Sequence, residues 1–246
     1  MLELNKIYNM DCLVGMQQIP DKSIDMILCD LPYGTTQNKW DSIIPLDQLW
    51  KQYERIIKDN GAIVLTGCQP FTSQLIVSNP KLFRYELIWQ KTAATGHLNA
   101  KKMPMRAHEN ILVFYKKMPT YNPQKTTGHK RKVATARHKR NSNKSTNYND
   151  YDLSSYDSTE RYPRSVLTFP TDKQKCAIHP TQKPVALFEY LIKTYTNEGE
   201  VIFDGCSGSG TTAVAAINTG RQFLCMEKEK EYFDKSVERI MKAGDS

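Results

Sequence analysis

Short apolar runs alternate with amphipathic segments along most of the chain. The apolar runs end at polar or glycine residues, which is typical of buried strands, and the amphipathic segments carry apolar residues three or four positions apart, which indicates helices. The predicted strands are residues 23–29, 62–65, 83–89, 111–115, 200–203 and 223–226, and the predicted helices are residues 46–57, 71–77, 185–195, 211–219 and 232–241. This alternation predicts an α/β fold with a mostly parallel sheet and helices on both faces.

Six cysteines are spread along the chain without a Cys-x-x-Cys pair or a dense cluster. Their spacing argues against a disulfide framework and favours reduced thiols. Cys176 and His179 would supply only half of a zinc site, so we expect no metal. The sequence shows neither an N-terminal apolar signal region nor an apolar run of membrane-spanning length. We therefore expect a soluble, cytoplasmic protein without a membrane partner.

A glycine-rich loop follows the predicted strand 200–203. It reads Asp204-Gly205-Cys206-Ser207-Gly208-Ser209-Gly210-Thr211-Thr212. Its glycines allow close backbone approach to a ligand, and the helix that follows presents free N–H groups. The spacing is neither the dinucleotide fingerprint nor a P-loop, and Glu227 ends the next predicted strand, where ribose hydroxyls are commonly bound. The loop predicts a nucleoside-type cofactor; the alternative is a tight strand-to-helix turn.

A second motif, Asp30-Leu31-Pro32-Tyr33, follows the predicted strand 23–29. Its position places a carboxylate, a rigid proline and an aromatic ring at the carboxyl end of a buried strand. An isolated tetrapeptide of this kind is also compatible with an ordinary turn. The position after a strand favours a functional site.

Together these motifs resemble those of the S-adenosylmethionine-dependent DNA amino-methyltransferases, the adenine-N6 and cytosine-N4 DNA methylase family. Residues 204–212 are similar to Asp-Pro-Phe-x-Gly-Ser-Gly-Thr-Thr, with Gly205 and Cys206 in place of Pro-Phe. Residues 30–33 are similar to Asp-Pro-Pro-Tyr, with Leu31 in place of the first proline, and residues 179–184 match His-Pro-x-Gln-Lys-Pro. The order of these motifs is that of the β group of the family.

The resemblance implies a Rossmann-like methyltransferase fold. Its mostly parallel sheet would have seven strands with helices on both faces, a circularly permuted motif order and a basic recognition insertion. The catalytic domain would comprise residues 1–115 and 166–246, and the target-recognition insertion residues 116–165.

The resemblance also implies the chemistry of the site. A base amine is a poor nucleophile because its lone pair is delocalised into the ring. Asp30 and the carbonyl of Leu31, held by Pro32, would accept its two N–H groups, and Tyr33 would stack on a flipped base.

The cofactor implied by the resemblance is S-adenosylmethionine. Lys183 could pair with its methionine carboxylate, and Asp11 would approach its adenine unless Asp11 is only a surface carboxylate or helix cap. The expected cofactor-binding residues are Asp11, Cys12, Thr181, Lys183, Asp204, Gly205, Cys206, Gly208, Ser209, Gly210, Thr211, Thr212 and Glu227.

Positive charge is concentrated in one segment. The whole chain has a formal net charge of +8, and residues 116–149 contain ten Lys or Arg and no Asp or Glu. This segment lacks apolar periodicity and suits phosphate contact, although a solvated loop would have the same composition. The expected DNA-binding residues are Lys130, Arg131, Lys132, Arg137, Lys139 and Arg140.

These observations predict a bacterial or phage-encoded enzyme that methylates N6 of adenine in duplex DNA by base flipping. An acidic first residue in the tip resembles adenine-N6 enzymes more than cytosine-N4 enzymes. Cytosine-N4 methylation and a catalytically inactive DNA-binding homologue are the alternatives. The partner is double-stranded DNA, and the sequence leaves open whether the protein is a homodimer.

Overall fold

The computed structural model describes residues 2–34, 41–136, 155–172 and 182–244. The chain divides into two compact units, one of Met1–Asn122 with Ser165–Ser246 and one of Pro123–Arg164. None of the described helices is long and apolar enough to cross a membrane. The functional division into a catalytic domain and a recognition insertion stays a prediction.

Ten strands are formed by the described residues. They are β1 (Lys6–Asn9), β2 (Ile24–Cys29), β3 (Ile57–Gly67), β4 (Phe83–Thr95), β5 (Arg106–Phe114), β6 (Lys132–Ala134), β7 (Tyr156–Ser158), β8 (Val166–Phe169), β9 (Val201–Asp204) and β10 (Gln222–Glu227). In the first unit, eight of these strands form one sheet in the order β1-β10-β9-β2-β3-β5-β4-β8. The second unit contains a two-stranded antiparallel sheet of β6 and β7.

The large sheet is mostly parallel, as the sequence predicts. Only β5 runs against its neighbours, β3 and β4. The prediction of seven strands is wrong, because the described residues form eight. The additional edge strand, β8, is a four-residue segment that pairs in parallel with Ile88–Lys91 of β4. The circular permutation stays a prediction.

Six α-helices cover the two faces of this sheet in the described part of the first unit. They are α1 (Cys12–Met16), α2 (Leu46–Ile56), α3 (Phe71–Ser78), α4 (Val185–Tyr195), α5 (Thr211–Asn218) and α6 (Lys230–Gly244). Helices α1 to α3 pack on one face, and α4 to α6 pack on the other. The prediction of helices on both faces is confirmed.

Strand β2 shows why its sequence is a continuous apolar run. Ile27 and Cys29 join the core on the side of α1 to α3, whereas Met26 and Leu28 join the core on the side of α4 to α6. All four side chains are fully buried. A strand covered on both faces has no solvent side, so its sequence lacks polar alternation.

Strand β3 begins five residues earlier than the predicted strand 62–65. Helix α2 ends at Ile56, and β3 begins directly at Ile57. Gly61 lies within the strand, where an added Cβ would come within 2.7 Å of the carbonyl oxygen of Asp25. The glycine therefore permits close approach to the neighbouring strand β2 rather than ending a helix.

Candidate active site

The predicted tip and the predicted cofactor loop lie at the same edge of the sheet. Strands β2 and β9 are neighbours and parallel, so Asp30 and Asp204 meet at their carboxyl ends. The chain order along the sheet reverses at this pair, which is the usual position of a ligand site in an open α/β sheet. A cavity of about 490 Å³ opens there, a size typical of small-molecule sites.

The carboxylate of Asp30 is held by three side chains. The hydroxyl of Tyr33 donates to Oδ1 at 2.6 Å, and the hydroxyl of Thr66, near the end of β3, donates to the same oxygen. The ammonium of Lys183 contacts Oδ2 at 2.6 Å. The orientation of the Asp30 carboxylate is therefore fixed from two neighbouring strands and from the segment before α4.

Lys183 is a buried cation between two carboxylates. Its Nζ lies 2.6 Å from Asp30 Oδ2 and 3.3 Å from Glu109 Oε2, and its side chain is only 5% exposed. Glu109 also pairs with Lys91 at 2.6 Å. Burial by itself would lower the pKa of Lys183, but the charges of Asp30 and Glu109 outweigh it and raise this pKa above its usual value. The site thus holds an alternating row of two cations and two anions.

The ring of Tyr33 forms part of the cavity wall. It packs on Phe71 of α3 with ring centroids 5.3 Å apart, and Lys183 Nζ lies 5.4 Å from its centroid. Burial, followed by the charges of Asp30 and Glu109, raises the pKa of Tyr33 well above its usual value. Tyr33 is therefore a neutral hydrogen-bond donor with a fixed aromatic face.

Asp204 begins the cofactor loop as a buried acid with neutral partners. The backbone N–H of Cys206 donates to Oδ1 at 3.0 Å, and the hydroxyl of Thr212 donates to Oδ2. Asp204 is 2% exposed. Burial raises its pKa to about 6, although these two donors favour the ionised form. Its charge is therefore sensitive to any group that enters the cavity.

Two glycines of the loop adopt backbone conformations that other residues rarely take. Gly208 has φ +51° and Gly210 has φ +77°, and Gly210 immediately precedes α5. The N–H of Gly208 donates to Glu227 Oε2 at 2.8 Å, while the N–H of Glu229 donates to Oε1 at 2.8 Å. Burial raises the pKa of Glu227. Glu227 thus fixes the loop as well as lining the cavity.

Asp11 and Cys12 reach the loop from the opposite side. The carboxylate of Asp11 caps α1 by accepting from the N–H of Leu13 at 2.9 Å, and Lys228 lies 3.4 Å from its second oxygen. A Cβ added to Gly205 would approach Cys12 to 3.0 Å, so glycine permits close contact at this position. Asp11 therefore caps a helix and lines the cavity at the same time.

Buried polar atoms show that the cavity suits a polar ligand. Among the described residues, Gln182 Oε1 and Ser207 Oγ are buried without a hydrogen-bond partner, and both residues line the cavity. Buried groups of this kind are destabilising unless a ligand or water satisfies them. Their position beside the glycine-rich loop fits a nucleoside cofactor with several hydrogen-bonding groups.

The structure brings most of the predicted site residues together. Leu31 and Pro32 line the cavity with Asp30 and Tyr33, and Ser209 and Thr211 contact Arg239 of α6. Thr181 lies outside the described residues, and so do Cys176 and His179. The cavity is also lined by Lys91 and Glu109, which were not predicted as site residues. The predicted site residues that line it include Asp11, Cys12, Leu31, Pro32, Lys183, Gly205, Cys206, Gly208, Ser209, Thr211, Thr212 and Glu227.

Sequence reasoning missed Thr66, Lys91 and Glu109. Thr66 is a polar residue at the end of the apolar run 62–65, and this position was the available signal for it. No local pattern indicates the pairing of Lys91 with Glu109, because these residues belong to two different strands, β4 and β5.

The second unit carries three of the predicted DNA-binding residues, Lys130, Arg131 and Lys132, all of them exposed. Arg131 forms a paired contact with Asp157, with its Nε 2.7 Å from Oδ1. Lys125 similarly lies 2.9 Å from Glu160. Acidic residues that follow the basic segment therefore neutralise part of its charge. Arg137, Lys139 and Arg140 lie outside the described residues.

The fold and the site define the class of protein. A mostly parallel α/β sheet carries a glycine-rich loop and an Asp-Leu-Pro-Tyr tip around one cavity, which is the arrangement of a Rossmann-like methyltransferase. The sequence profile described as DNA methylase matches residues 24–238. The chain belongs to this DNA methylase family of N6 and N4 methyltransferases, and the resemblance noted from the motifs is confirmed.

Individual relatives are distant but cover nearly the whole chain. The chain is 27% identical to the type II methyltransferase M1.MboII of Moraxella bovis, over 96% of each chain. It is 26% identical to the DNA adenine methyltransferase YhdJ of Escherichia coli strain K12, over 97% of this chain and 83% of the relative. The crystal structure of the M1.HpyAVI-SAM complex has a TM-score of 0.63 at 24% identity and covers 95% of this chain and 98% of that one. This structural likeness shows the shared fold.

Proposed function

We propose that this protein transfers a methyl group from S-adenosylmethionine to N6 of adenine in duplex DNA. The observation that carries the proposal is that the held carboxylate of Asp30 and the glycine-rich loop line the same cavity. The Asp30 carboxylate can accept hydrogen bonds from an amine, and the glycine-rich loop can bind a nucleoside cofactor. S-adenosylmethionine, when bound, supplies a sulfonium methyl group. Asp204, Glu227 and the loop glycines would hold the cofactor.

The chain's own residues prepare the amine. Its two N–H groups would donate to the Asp30 carboxylate and to the carbonyl of Leu31, which draws electron density toward the attacking nitrogen. The carboxylate stabilises the positive charge that develops on nitrogen during transfer. Because Asp30 Oδ1 already accepts from Tyr33 and Thr66, the amine enters a preorganised hydrogen-bond network. Preorganisation lowers the cost of rearrangement when the charge appears.

The buried cation Lys183 supports this role by holding Asp30 Oδ2. The cavity lies at the end of a buried strand, so a base stacked in a duplex cannot reach Asp30. We therefore propose that the target base is flipped out and packs beside the ring of Tyr33, which lines the cavity.

Adenine is the proposed base for two reasons. The first residue of the tip is an acid, Asp30, and one distant relative is named a DNA adenine methyltransferase. The exposed cations of the second unit, Lys130 and Lys132, are proposed to contact phosphates. Phosphate contacts position a protein on DNA, whereas base contacts provide sequence preference.

The test is methylation of unmethylated genomic DNA with labelled S-adenosylmethionine, followed by digestion to nucleosides and mapping of the modified sites. We expect label in N6-methyladenine at one recurring short sequence. Label in N4-methylcytosine would contradict the assignment of the base, and absence of label would contradict the proposed activity.

A variant tests the role of Asp30. Asp30→Asn should abolish transfer while cofactor binding, measured by calorimetry, is retained. Asp234→Asn, an exposed residue of α6, is the matched control and should behave as the unchanged protein. Near-normal turnover by Asp30→Asn would contradict the mechanism.

A further inference from the structure

The segment that joins β4 to β5, residues 96–105, presents large apolar side chains to solvent. Leu98 is 87% exposed, Met103 is 56% exposed and Met105 is 41% exposed. Single exposed apolar residues are common on protein surfaces and need no explanation. Three within eight residues form a local apolar surface, which is typical of a contact site.

This joining segment has a defined conformation. Gly96 adopts φ +91°, and residues His97–Asn99 form a 3₁₀ turn. The carbonyl of Asn99 accepts from the N–H of Lys102 at 2.8 Å and from the N–H of Met103 at 3.0 Å. Leu98 is therefore presented to solvent by a hydrogen-bonded turn. A fixed turn can place an apolar side chain against a partner at a small entropic cost.

The charge of the segment favours a polyanionic partner. Residues 91–106 contain Lys91, Lys101, Lys102 and Arg106 and no Asp or Glu. Lys91 pairs with Glu109. Among the residues that the structure describes, no carboxylate forms an ion pair with Lys101, Lys102 or Arg106. Apolar side chains that lie in a segment with cations and without carboxylates are suited to nucleic acid, which offers phosphates beside apolar base faces.

The segment begins and ends at the cavity. Thr95, the last residue of β4, and Arg106, the first residue of β5, both line the cavity that contains Asp30. The end of β4 and the start of β5 extend beyond the core, since residues 92–94 and 106–108 are exposed, and they carry the segment past the rim of the cavity. Any duplex that delivers a base to Asp30 must pass near this rim.

We propose that residues 96–105 are a DNA-contacting segment, in which Leu98 enters the base stack beside the target base and Lys101 and Lys102 bind adjacent phosphates. The proposal rests on the proposed function. An apolar wedge fills the space that an extruded base leaves and compensates for lost stacking. Lys101 and Lys102 would hold the DNA backbone beside the step that Leu98 enters.

The first experiment compares methylation of two duplexes that carry the mapped target site. One duplex is fully paired, and the other has an abasic position opposite the target base, which removes the need to break a base pair. Leu98→Ala should lower kcat/KM about tenfold on the paired duplex and less than about twofold on the abasic duplex, because the wedge assists only extrusion. Met241→Ala is the matched control: Met241 is 64% exposed near the end of α6, outside residues 96–105 and outside residues 116–165, and this variant should leave both rates unchanged.

The second experiment measures the dependence of DNA affinity on salt. The double variant Lys101→Ala/Lys102→Ala should reduce the slope of log K against log salt by about 1.8, the value for two phosphate contacts. The double variant Lys22→Ala/Lys58→Ala, at the amino ends of β2 and β3 and thus at the edge of the sheet opposite Asp30, should retain the slope. An unchanged slope in the first variant would overturn the assignment of these lysines to phosphates.

The outcomes separate this proposal from the proposed function. Equal loss on both duplexes for Leu98→Ala would overturn the wedge. Equal loss together with a lower mass in sedimentation would identify the segment as an interface between copies of the chain instead. Failure of the unchanged protein to methylate either duplex would overturn the proposed function, and this proposal with it.

Discussion

Replacement of Asp204 by asparagine tests whether the cofactor loop contains a destabilising buried charge. The amide oxygen of asparagine can accept from the N–H of Cys206, and its amide N–H can donate to the hydroxyl oxygen of Thr212. Asparagine can therefore keep a hydrogen bond to each of the two partners of the native carboxylate. The substitution removes the charge and nearly preserves the size of the side chain, at a residue that is only 2% exposed.

The magnitude follows from the shifted pKa. Burial raises the pKa of Asp204 from 3.8 to about 6. A raised pKa means that the folded state holds the proton more tightly than the unfolded state, so the charged form destabilises the fold at neutral pH. A shift of this size corresponds to about 3 kcal/mol. The free energy of unfolding of Asp204→Asn, relative to the unchanged protein, should rise by about 2 kcal/mol between pH 4 and pH 7, because at pH 4 the unfolded carboxyl is already partly ionised.

The assay is urea unfolding of both proteins without cofactor, at half-unit steps across that pH range. Asp234→Asn, in which an exposed carboxylate is removed, should show no comparable change. A difference between Asp204→Asn and the unchanged protein that is constant with pH would refute the reasoning, because the linkage requires that the difference follow the titration of Asp204.

Two other predictions concern the support of Asp30. Thr66→Val removes a donor to the carboxylate and should lower kcat about tenfold or more, as expected for a hydrogen bond to a charged group, without changing cofactor affinity; single-turnover kinetics measure this. Lys183→Met leaves Asp30 and Glu109 without their shared cation and should destabilise the fold by about 3–5 kcal/mol in urea unfolding at neutral pH. Since the pKa of Lys183 is raised above 10.5, its contribution is present at neutral pH and is lost only as pH rises above that value. Lys230→Met, which breaks an exposed pair, should cost less than about 1 kcal/mol.

The sequence predicts the fold where periodicity is strong and fails where elements are short. The core strands and five of the helices follow from their apolar patterns. Strands β1 and β8 have four residues each, like the predicted β9, but they mix polar with apolar residues and are only partly buried, so no continuous apolar run marks them. The ends of β4 and β5 were also missed, because residues 92–95 and 106–108 leave the core and have no apolar pattern to mark them.

The sequence predicts the motifs of the site but not their mutual contacts. The motif predicts that Lys183 could pair with the cofactor, and the structure adds a contact of its ammonium with Asp30, 153 positions away along the chain. Such a contact depends on how β2 and the segment before α4 meet, and no local pattern records it. Its role toward the cofactor stays a prediction.

Asp30 and Asp204 are stabilised in different ways, and the difference has a measurable consequence. Asp30 has a buried cation as its partner, whereas Asp204 has only neutral donors, and burial raises its pKa to about 6. S-adenosylmethionine would bring a sulfonium and an ammonium into the cavity that Asp204 lines, and a nearby positive charge favours the ionised carboxylate. Cofactor binding should therefore release a proton near pH 6, and affinity should fall as pH drops below that value, by up to about tenfold per unit. Calorimetry in two buffers of different ionisation enthalpy measures the released proton. Asp204→Asn should bind more weakly at neutral pH but without this proton release, and an equal release in the variant would mean that another group titrates.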